Sequence, residues 1–284
     1  MLKVIPVFYT SKMVSDSGSF SPSSAKPAKV VESWKNQFPI QIIEPTPVTV
    51  DDYCKAHDRD FVEGILSCKE NNGFGNKSKE VAAALPYTTG SMFCAALHAL
   101  VSKKIAVSPT SGFHHAEYEK AEGFCTFNGL MVTAFKLKEL GLINTIGILD
   151  LDMHYGNGTN DIIRKFDCSN WVTHFTGGRY FTHASQAPML FNHLPNVLDE
   201  MSSCDLVLYQ AGADPHINDP HGGLLTTEQL QRRDRMVFQT LTDKKVPIAW
   251  NLAGGYQIEK DGSIPKVLEI HDNTMKECVA AFAK

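Results

Sequence analysis

The sequence has no long apolar run, no excess of positive charge and no paired cysteines. None of its 284 residues belongs to an apolar run of 18, so we expect no membrane-spanning helix and no membrane partner. Its 27 basic and 31 acidic residues give a net charge of −4, which argues against direct nucleic-acid binding by phosphate attraction. Seven scattered cysteines without a Cys-x-x-Cys pair are typical of reduced thiols. With no signal-peptide pattern at its start, we expect a cytoplasmic protein.

Apolar runs alternate with amphipathic stretches along the chain. The runs occur at 3–8, 105–107, 146–151, 171–175, 206–209 and 246–252. Between them lie helical patterns, such as the one that starts with a capping box at Thr226 and Gln229, and the one after Pro265. This alternation predicts a single α/β domain over 1–284, with a mostly parallel multi-stranded sheet and helices on both faces. The serine-rich segment 11–27 is expected to be a long loop, either an ordered rim or a mobile one.

Chemically versatile side chains follow four of the predicted strands. Because the carboxyl ends of parallel strands meet at one edge of a sheet, we expect these side chains to converge in an active site there. They are His114 and His115 after the second run, Asp150, Asp152 and His154 after the third, Asp214 after the fifth, and Tyr256 after the sixth.

Asp152, His154 and Asp214 form a candidate metal site. Side chains two apart in an extended chain point the same way, so Asp150, Asp152 and His154 are expected to project together. Two carboxylates and one imidazole with room for water are typical of a catalytic zinc site, although Fe²⁺, Co²⁺ and Mn²⁺ suit the same ligands. Taken alone, the Asp-x-His motif favours a capping Asp and a solvated surface His. Together with the polar side chains at the other strand ends, however, the motif favours a metal site.

His114, His115 and Tyr256 are candidates for proton transfer and oxyanion binding. The two imidazoles could serve as general base and electrostatic partner, with Asp150 and Asn157 orienting them. The two glycines before Tyr256 allow a sharp bend that would bring its hydroxyl to an oxyanion. Each feature alone also suits a structural role, as a packed polar pair or a turn with a packed Tyr.

Several motifs together resemble the zinc-dependent histone deacetylase family of the arginase/deacetylase superfamily. The matching segments occur in the family's order and span nearly the whole chain. They are 111–116 (SGFHHA), 122–128 (EGFCTFN), 148–159 (ILDLDMHYGNGT), 211–214 (AGAD) with 219–223 (DPHGG), and 252–256 (LAGGY). Segment 232–238 (RRDRMVF) looks closest to the class IV-like branch and bacterial histone deacetylase-like amidohydrolases.

The resemblance implies roles for individual residues. It implies metal ligation by Asp152, His154 and Asp214, His115 as general base, His114 as its electrostatic or acid partner, and Tyr256 as the group that polarises the scissile carbonyl. The Gly123 carbonyl would accept the substrate N–H. The implied acyl-lysine tunnel would be lined by Phe124, an aromatic of Tyr180 or Phe181, His221, Gly254 and Gly255. A monovalent site for K⁺ or Na⁺ would involve Asp150, Thr173 and His174.

The implied activity is hydrolysis of acetyl or longer fatty acyl groups from lysine side chains of a protein or peptide. Removal of acetyl from a polyamine or another small amine would use the same catalytic residues. Closure of the tunnel entrance by an oligomer partner would favour such a small substrate. A non-catalytic acyl-lysine or metal-binding protein is a further alternative. Two residues depart from many family members: Asn157, which stands where some carry Asp and would make its imidazole less basic, and the polar His221 at the rim.

Overall fold

Seven parallel strands form the centre of the computed structural model, which describes residues 4–283. They are β1 (Ile5–Phe8), β2 (Ile40–Ile43), β3 (Ile105–Ser108), β4 (Ile146–Asp150), β5 (Val172–Thr176), β6 (Val207–Gln210) and β7 (Ile248–Asn251). Their order in the sheet is β2-β1-β3-β7-β6-β4-β5, and every neighbouring pair is parallel. The predicted parallel sheet is confirmed. Lys3, the first residue of the predicted run 3–8, lies outside the described residues.

Helices cover both faces of the sheet, as predicted. They are α1 (Lys26–Lys35), α2 (Val50–Tyr53), α3 (Arg59–Leu66), α4 (Lys79–Ser102), α5 (Gly129–Glu139), α6 (Asn157–Lys165), α7 (Ala187–Met201), α8 (Thr227–Asp243) and α9 (Pro265–Phe282). Side chains alternate along β4: Ile148 packs with α3 to α6 on one face, and Leu149 packs with α1 and α7 to α9 on the other. Within residues 4–283, no helix is long and apolar enough to cross a membrane.

Local sequence signals correctly place the starts of α8 and α9, and the features that they miss have physical reasons. The Thr226 capping box begins α8, and Pro265 begins α9, as predicted. The sequence reasoning missed β2, because this edge strand is short and partly exposed and so lacks a continuous buried pattern. Segment 11–27 is mostly a loop, as expected, with two 3-10 turns, at Ser11–Met13 and Pro22–Ser24, and α1 already begins at its end.

The register of the sheet brings four strand ends to the same level. Asp150 of β4 pairs with Gln210 of β6, Gln210 pairs with Asn251 of β7, and Asn251 pairs with Ser108 of β3. The four loops that follow these strands therefore start side by side at one edge of the sheet. Because the four strands are buried at every residue, their ends are rigid attachment points for these loops.

Candidate active site

Asp152, His154 and Asp214 converge in the loops that follow β4 and β6. One potential ligand atom from each lies within 4.8 Å of the others. His154 Nδ1 is 3.2 Å from Asp152 Oδ1 and 3.1 Å from Asp214 Oδ2. Both carboxylates are buried, whereas the imidazole is partly exposed. The three residues therefore present their oxygen and nitrogen atoms to one point that is open on the imidazole side.

Glycines allow the backbone to approach these carboxylates closely. A Cβ atom on Gly254 would lie 2.3 Å from Asp214 Oδ2, and one on Gly212 would lie 2.5 Å from Asp214 Oδ1. The Gly254 N–H donates to Asp152 Oδ2 at 2.8 Å. Gly255 has a φ of 147°, a backbone conformation that favours glycine. The structure thus places Gly254 and Gly255 against the carboxylate loops, where they control the packing of the site.

The charges of this cluster fit a divalent metal ion. Burial tends to raise the pKa of Asp152, but the charges of His114 and His154 outweigh burial and hold this pKa well below its usual range. Burial and the Asp152 charge raise the pKa of Asp214 to about 7. Hydrogen bonds to Asp152 and Asp214 raise the pKa of His154 to about 11. Two buried carboxylates require positive charge beside them, which a metal ion could supply in place of the imidazolium. The mixed oxygen and nitrogen donors of the cluster are those that zinc, iron and cobalt accept.

The structure pairs each of two adjacent histidines with the partner predicted for it. His114 Nδ1 lies 2.7 Å from Asp150 Oδ2, and His115 Nδ1 lies 2.6 Å from Asn157 Oδ1. Asp150 is itself fixed by Gln210, whose side-chain amide donates to it at 3.0 Å. The two imidazole rings are 4.1 Å apart between centroids. Both Nδ1 atoms are engaged in these pairings, which leaves the Nε2 atoms for the site.

The pKa values of the two imidazoles are shifted in opposite directions. Burial lowers the pKa of His114, but Asp150 and then Asp152 outweigh it and raise the pKa to about 9. Burial and then the charge of His114 lower the pKa of His115 to about 4. At neutral pH, His114 is therefore a cation and His115 a neutral imidazole. This pair can act as an electrostatic partner and a proton acceptor.

Aromatic rings surround the approach to the carboxylates, and we call this ring set the mouth: Phe20, Phe74, Phe124, His221 and Tyr256. The Phe124 ring is 5.7 Å from that of Tyr256 and 5.4 Å from that of Phe20, and the His221 ring is 5.0 Å from Tyr256. Burial, Asp214 and Asp152 raise the pKa of Tyr256 well above its ordinary value, so its phenol stays a proton donor.

Phe20 belongs to the mouth although the sequence reasoning did not single it out. It is 71% exposed and stands in the segment 11–27. The only signal in the sequence was a large aromatic residue in an otherwise serine-rich loop. Its position beside Phe124 depends on the ordered course of that loop, which no local pattern reveals.

Gly123 and Phe124 form a left-handed turn beside the histidine pair. Their φ angles are 57° and 63°. A Cβ on Gly123 would lie 2.5 Å from His115 Cδ2, so only glycine fits against that ring. Gly123 is exposed at this turn, next to the predicted general base.

Tyr180 or Phe181 was expected to line the acyl-lysine tunnel with Phe124, but both rings pack elsewhere. Within residues 4–283, no ring contact joins either of them to Phe124. The 3-10 turn Gly177–Arg179 follows the edge strand β5 and leads the chain towards α7. The Tyr180 ring stacks on Phe175 at 6.1 Å, and Phe181 packs against His193. These rings line a separate surface cavity, and the rings near Phe124 come from the other members of the mouth.

The predicted cation set of Asp150, Thr173 and His174 is only partly brought together. Asp150 pairs with Thr176, three residues beyond Thr173, which pairs with Gly147. Since side chains alternate along a strand, Thr173 and His174 point to opposite faces. His174 shares the face of Thr176, and its buried Nε2 has no hydrogen-bond partner. The register therefore separates Thr173 from Asp150 and pairs Thr176 with it, which the sequence pattern could not specify.

The sequence and the fold both match known proteins. Residues 22–174 and 177–268 match the family model described as the histone deacetylase domain. An uncharacterised protein of Picosynechococcus sp. is 29% identical over 227 residues, which cover 71% of this chain and 74% of that protein. Histone deacetylase 2 of Arabidopsis thaliana is 26% identical over 171 residues, 53% of this chain, and the match spans only 44% of that relative's length.

Two crystal structures share the fold at low sequence identity. The HDA15 HD domain has a TM-score of 0.78 at 17% identity, with 98% of this chain and 90% of that chain covered. The acetylpolyamine aminohydrolase from Burkholderia pseudomallei has a TM-score of 0.75 at 14% identity, with 98% and 99% covered. The segments of the family model contain both histidines, all three potential metal ligands and Tyr256. The resemblance seen in the sequence is confirmed: the chain belongs to the histone deacetylase family.

Proposed function

We propose that this protein is a metal-dependent amidohydrolase that removes an acyl group from a lysine side chain. Membership of the histone deacetylase family supports a deacetylase-type amidohydrolase in general. The observation that carries the finer proposal is the placement of a neutral imidazole, His115, and a protonated phenol, Tyr256, around the cluster of potential metal ligands. A binding protein without catalytic activity would have no need for this combination.

Asp152, His154 and Asp214 are the residues that would hold the metal, with Zn²⁺ as the first candidate and Fe²⁺ or Co²⁺ as alternatives. When bound there, the ion would supply Lewis-acid polarisation of the acyl carbonyl and would lower the pKa of water. The backbone N–H of Gly254 and that of Met153 orient the two carboxylates for this task.

His115 would act as the general base. Its Nδ1 is occupied by Asn157, so Nε2 accepts the proton of the water molecule whose oxygen bonds to the acyl carbon. The carbon–nitrogen bond then breaks, and the proton held by the imidazole passes to the leaving amine. His114, held by Asp150, would be the electrostatic partner that stabilises negative charge at the carbonyl oxygen.

Tyr256 would donate a hydrogen bond from its hydroxyl to that carbonyl oxygen, since its raised pKa keeps the phenol protonated. The carbonyl of Gly123, an exposed residue at the turn beside His115, is our candidate acceptor for the substrate N–H. The rings of the mouth offer apolar walls to the aliphatic stem of an acylated lysine.

A small acetylated amine is the second candidate substrate. The likeness to a solved structure named as an acetylpolyamine aminohydrolase extends over 98% of this chain and motivates it. Polyamine and lysine substrates present the same amide to the same catalytic residues. They differ outside the mouth, where a peptide has flanking backbone and a polyamine has further cationic nitrogens.

An activity panel tests the proposal. The purified protein is reconstituted with Zn²⁺, Fe²⁺ or Co²⁺ and given lysine peptides that carry acetyl to myristoyl groups, together with acetylpolyamines. We expect hydrolysis of the lysine peptides, and its loss together with metal binding in Asp152→Ala and His154→Ala. Hydrolysis of acetylpolyamines alone would favour the second candidate. Metal binding without hydrolysis of any substrate would refute the enzymatic proposal.

A further inference from the structure

Asn157 connects the predicted general base to two carboxylates, Glu117 and Glu122, to which the sequence analysis gave no role. Its side-chain oxygen faces His115 Nδ1 at 2.6 Å. Its side-chain nitrogen donates to Glu117 Oε1 at 2.9 Å and to Glu122 Oε1 at 2.8 Å. All four side chains are partly buried. The amide is therefore fully engaged, with its acceptor on the imidazole and both donor hydrogens on carboxylates.

This arrangement fixes which way the amide points. A terminal amide can rotate by half a turn and exchange its oxygen and nitrogen, because the two ends are nearly equal in shape. After such a rotation, the Asn157 oxygen would face two carboxylate oxygens, which are acceptors only, and its NH₂ would face the imidazole. Glu117 and Glu122 therefore exclude the rotated amide by electrostatic repulsion.

The amide orientation in turn determines the imidazole tautomer. With an oxygen acceptor opposite Nδ1, the neutral ring of His115 must carry its proton on Nδ1 and keep the lone pair on Nε2. A rotated amide would present a donor to Nδ1 and favour the other tautomer, in which Nε2 cannot accept a proton. We propose that Glu117 and Glu122 are positioning residues that hold Asn157, and through it His115, in the base-competent tautomer. This inference rests on the proposed function of His115.

Both carboxylates are anchored by the loop that carries them. Glu122 forms an ion pair with Lys120, and its backbone exchanges hydrogen bonds with Cys125 at 3.1 and 2.9 Å. The Glu117 N–H donates to the Lys120 carbonyl at 2.9 Å. The Lys120 contact, foremost, lowers the pKa of Glu122. The Glu122 carboxylate thus stays an acceptor at neutral pH.

The experiment compares glutamine variants of these positions in the metal-loaded enzyme. Glu117→Gln/Glu122→Gln replaces fixed acceptors by amides that can also donate, so both orientations of Asn157 become possible. We expect kcat/KM to fall by about tenfold, as for the loss of other orienting partners, with KM little changed. Glu119→Gln, at an exposed position of the same loop, removes one negative charge where the double variant removes two, and serves as the control with unchanged activity.

A rescue variant separates positioning from general damage. Adding Asn157→Asp to the double variant presents an oxygen to His115 Nδ1 in either orientation, and the new glutamine amides can donate to its second oxygen. We expect this triple variant to regain most of the lost kcat/KM. If the double variant keeps full activity, or if the triple variant stays as impaired as the double, the positioning role is refuted.

The tautomer can also be observed without any activity. Long-range ¹H–¹⁵N correlation spectra of the protein distinguish Nδ1–H from Nε2–H imidazoles. For His115 we expect the Nδ1–H form in the wild-type protein and in Glu119→Gln, and a mixture of both forms in the double variant. An unchanged Nδ1–H form in the double variant would overturn the inference. A wild-type protein that shows the expected tautomers but hydrolyses no substrate would instead refute the proposed function alone.

Discussion

Replacing Gly254 by alanine should damage the metal site through a single methyl group. The added Cβ would lie 2.3 Å from Asp214 Oδ2 and 2.8 Å from Asp152 Oδ2. An ordinary carbon–oxygen contact needs more than 3 Å, so the backbone and the Asp214 carboxylate must separate by roughly 1 Å. Movement of the carboxylate changes the metal site directly. Movement of the backbone instead weakens the hydrogen bond from Gly254 to Asp152.

Either adjustment has a measurable consequence. Overpacking of a rigid interior costs about 1–3 kcal/mol of unfolding free energy, and loss of ligand orientation lowers metal affinity by about tenfold or more. We expect Gly254→Ala to show both effects, measured by urea unfolding of the metal-free protein and by calorimetric titration with Zn²⁺.

Gly112→Ala is the matched control for this prediction. Gly112 lies near the same site, but a Cβ there would meet its nearest neighbour, Cys125 Sγ, at 3.5 Å, an ordinary contact. We expect its metal affinity to equal that of the wild-type protein. If Gly254→Ala bound Zn²⁺ as tightly as Gly112→Ala and unfolded at the same urea concentration, the inferred close packing of backbone and ligands would be wrong.

Three further predictions follow from individual side chains. Tyr256→Phe should lower kcat by about 10²–10³-fold with unchanged metal content, measured by steady-state kinetics and elemental analysis; unchanged kcat would remove its oxyanion role. His114, with its pKa raised to about 9, contributes stability that is present below its ordinary pKa of 6.5 and lost as pH rises through 9. Asp150→Asn should therefore destabilise the metal-free protein at pH 6 and much less at pH 9 in urea unfolding; a pH-independent difference would contradict this linkage. Arg233→Met should lower the unfolding free energy by about 3–5 kcal/mol, because it leaves a buried carboxylate unpaired, whereas the exposed Arg232→Met should not; equal effects would argue against the buried pair.

The sequence was sufficient to predict the residues at the strand ends, because two local signals coincide there. Apolar runs mark the buried strands, and the first polar residues after them, such as Asp152 and His115, mark the loops at the carboxyl edge. Parallel topology then brings the loops together without any knowledge of side-chain contacts. The partners of the imidazoles could be predicted for the same reason, since Asp150 and Asn157 flank the same loop.

Features that depend on register or on the course of a loop could not be predicted in this way. The choice between Thr173 and Thr176 beside Asp150 depends on how β5 pairs with β4, and a hydrophobic pattern does not specify that register. The position of Phe20 depends on the folded path of 11–27. The contacts of Glu117 and Glu122 with Asn157 were missed because no local pattern reveals the hydrogen-bond partner of a carboxylate in a loop.

The neutral amide of Asn157 explains how two adjacent histidines acquire opposite proton affinities. His114 faces the carboxylate of Asp150 and holds a proton, and that charge, together with burial, lowers the pKa of His115. A carboxylate facing His115 would raise the pKa of this ring, whose centroid lies only 4.1 Å from that of the protonated His114. An amide supplies the same acceptor geometry without this charge. The carboxylates of Glu117 and Glu122 then lie one hydrogen bond further from the ring, where they fix the orientation of the amide and contact the imidazole only through it.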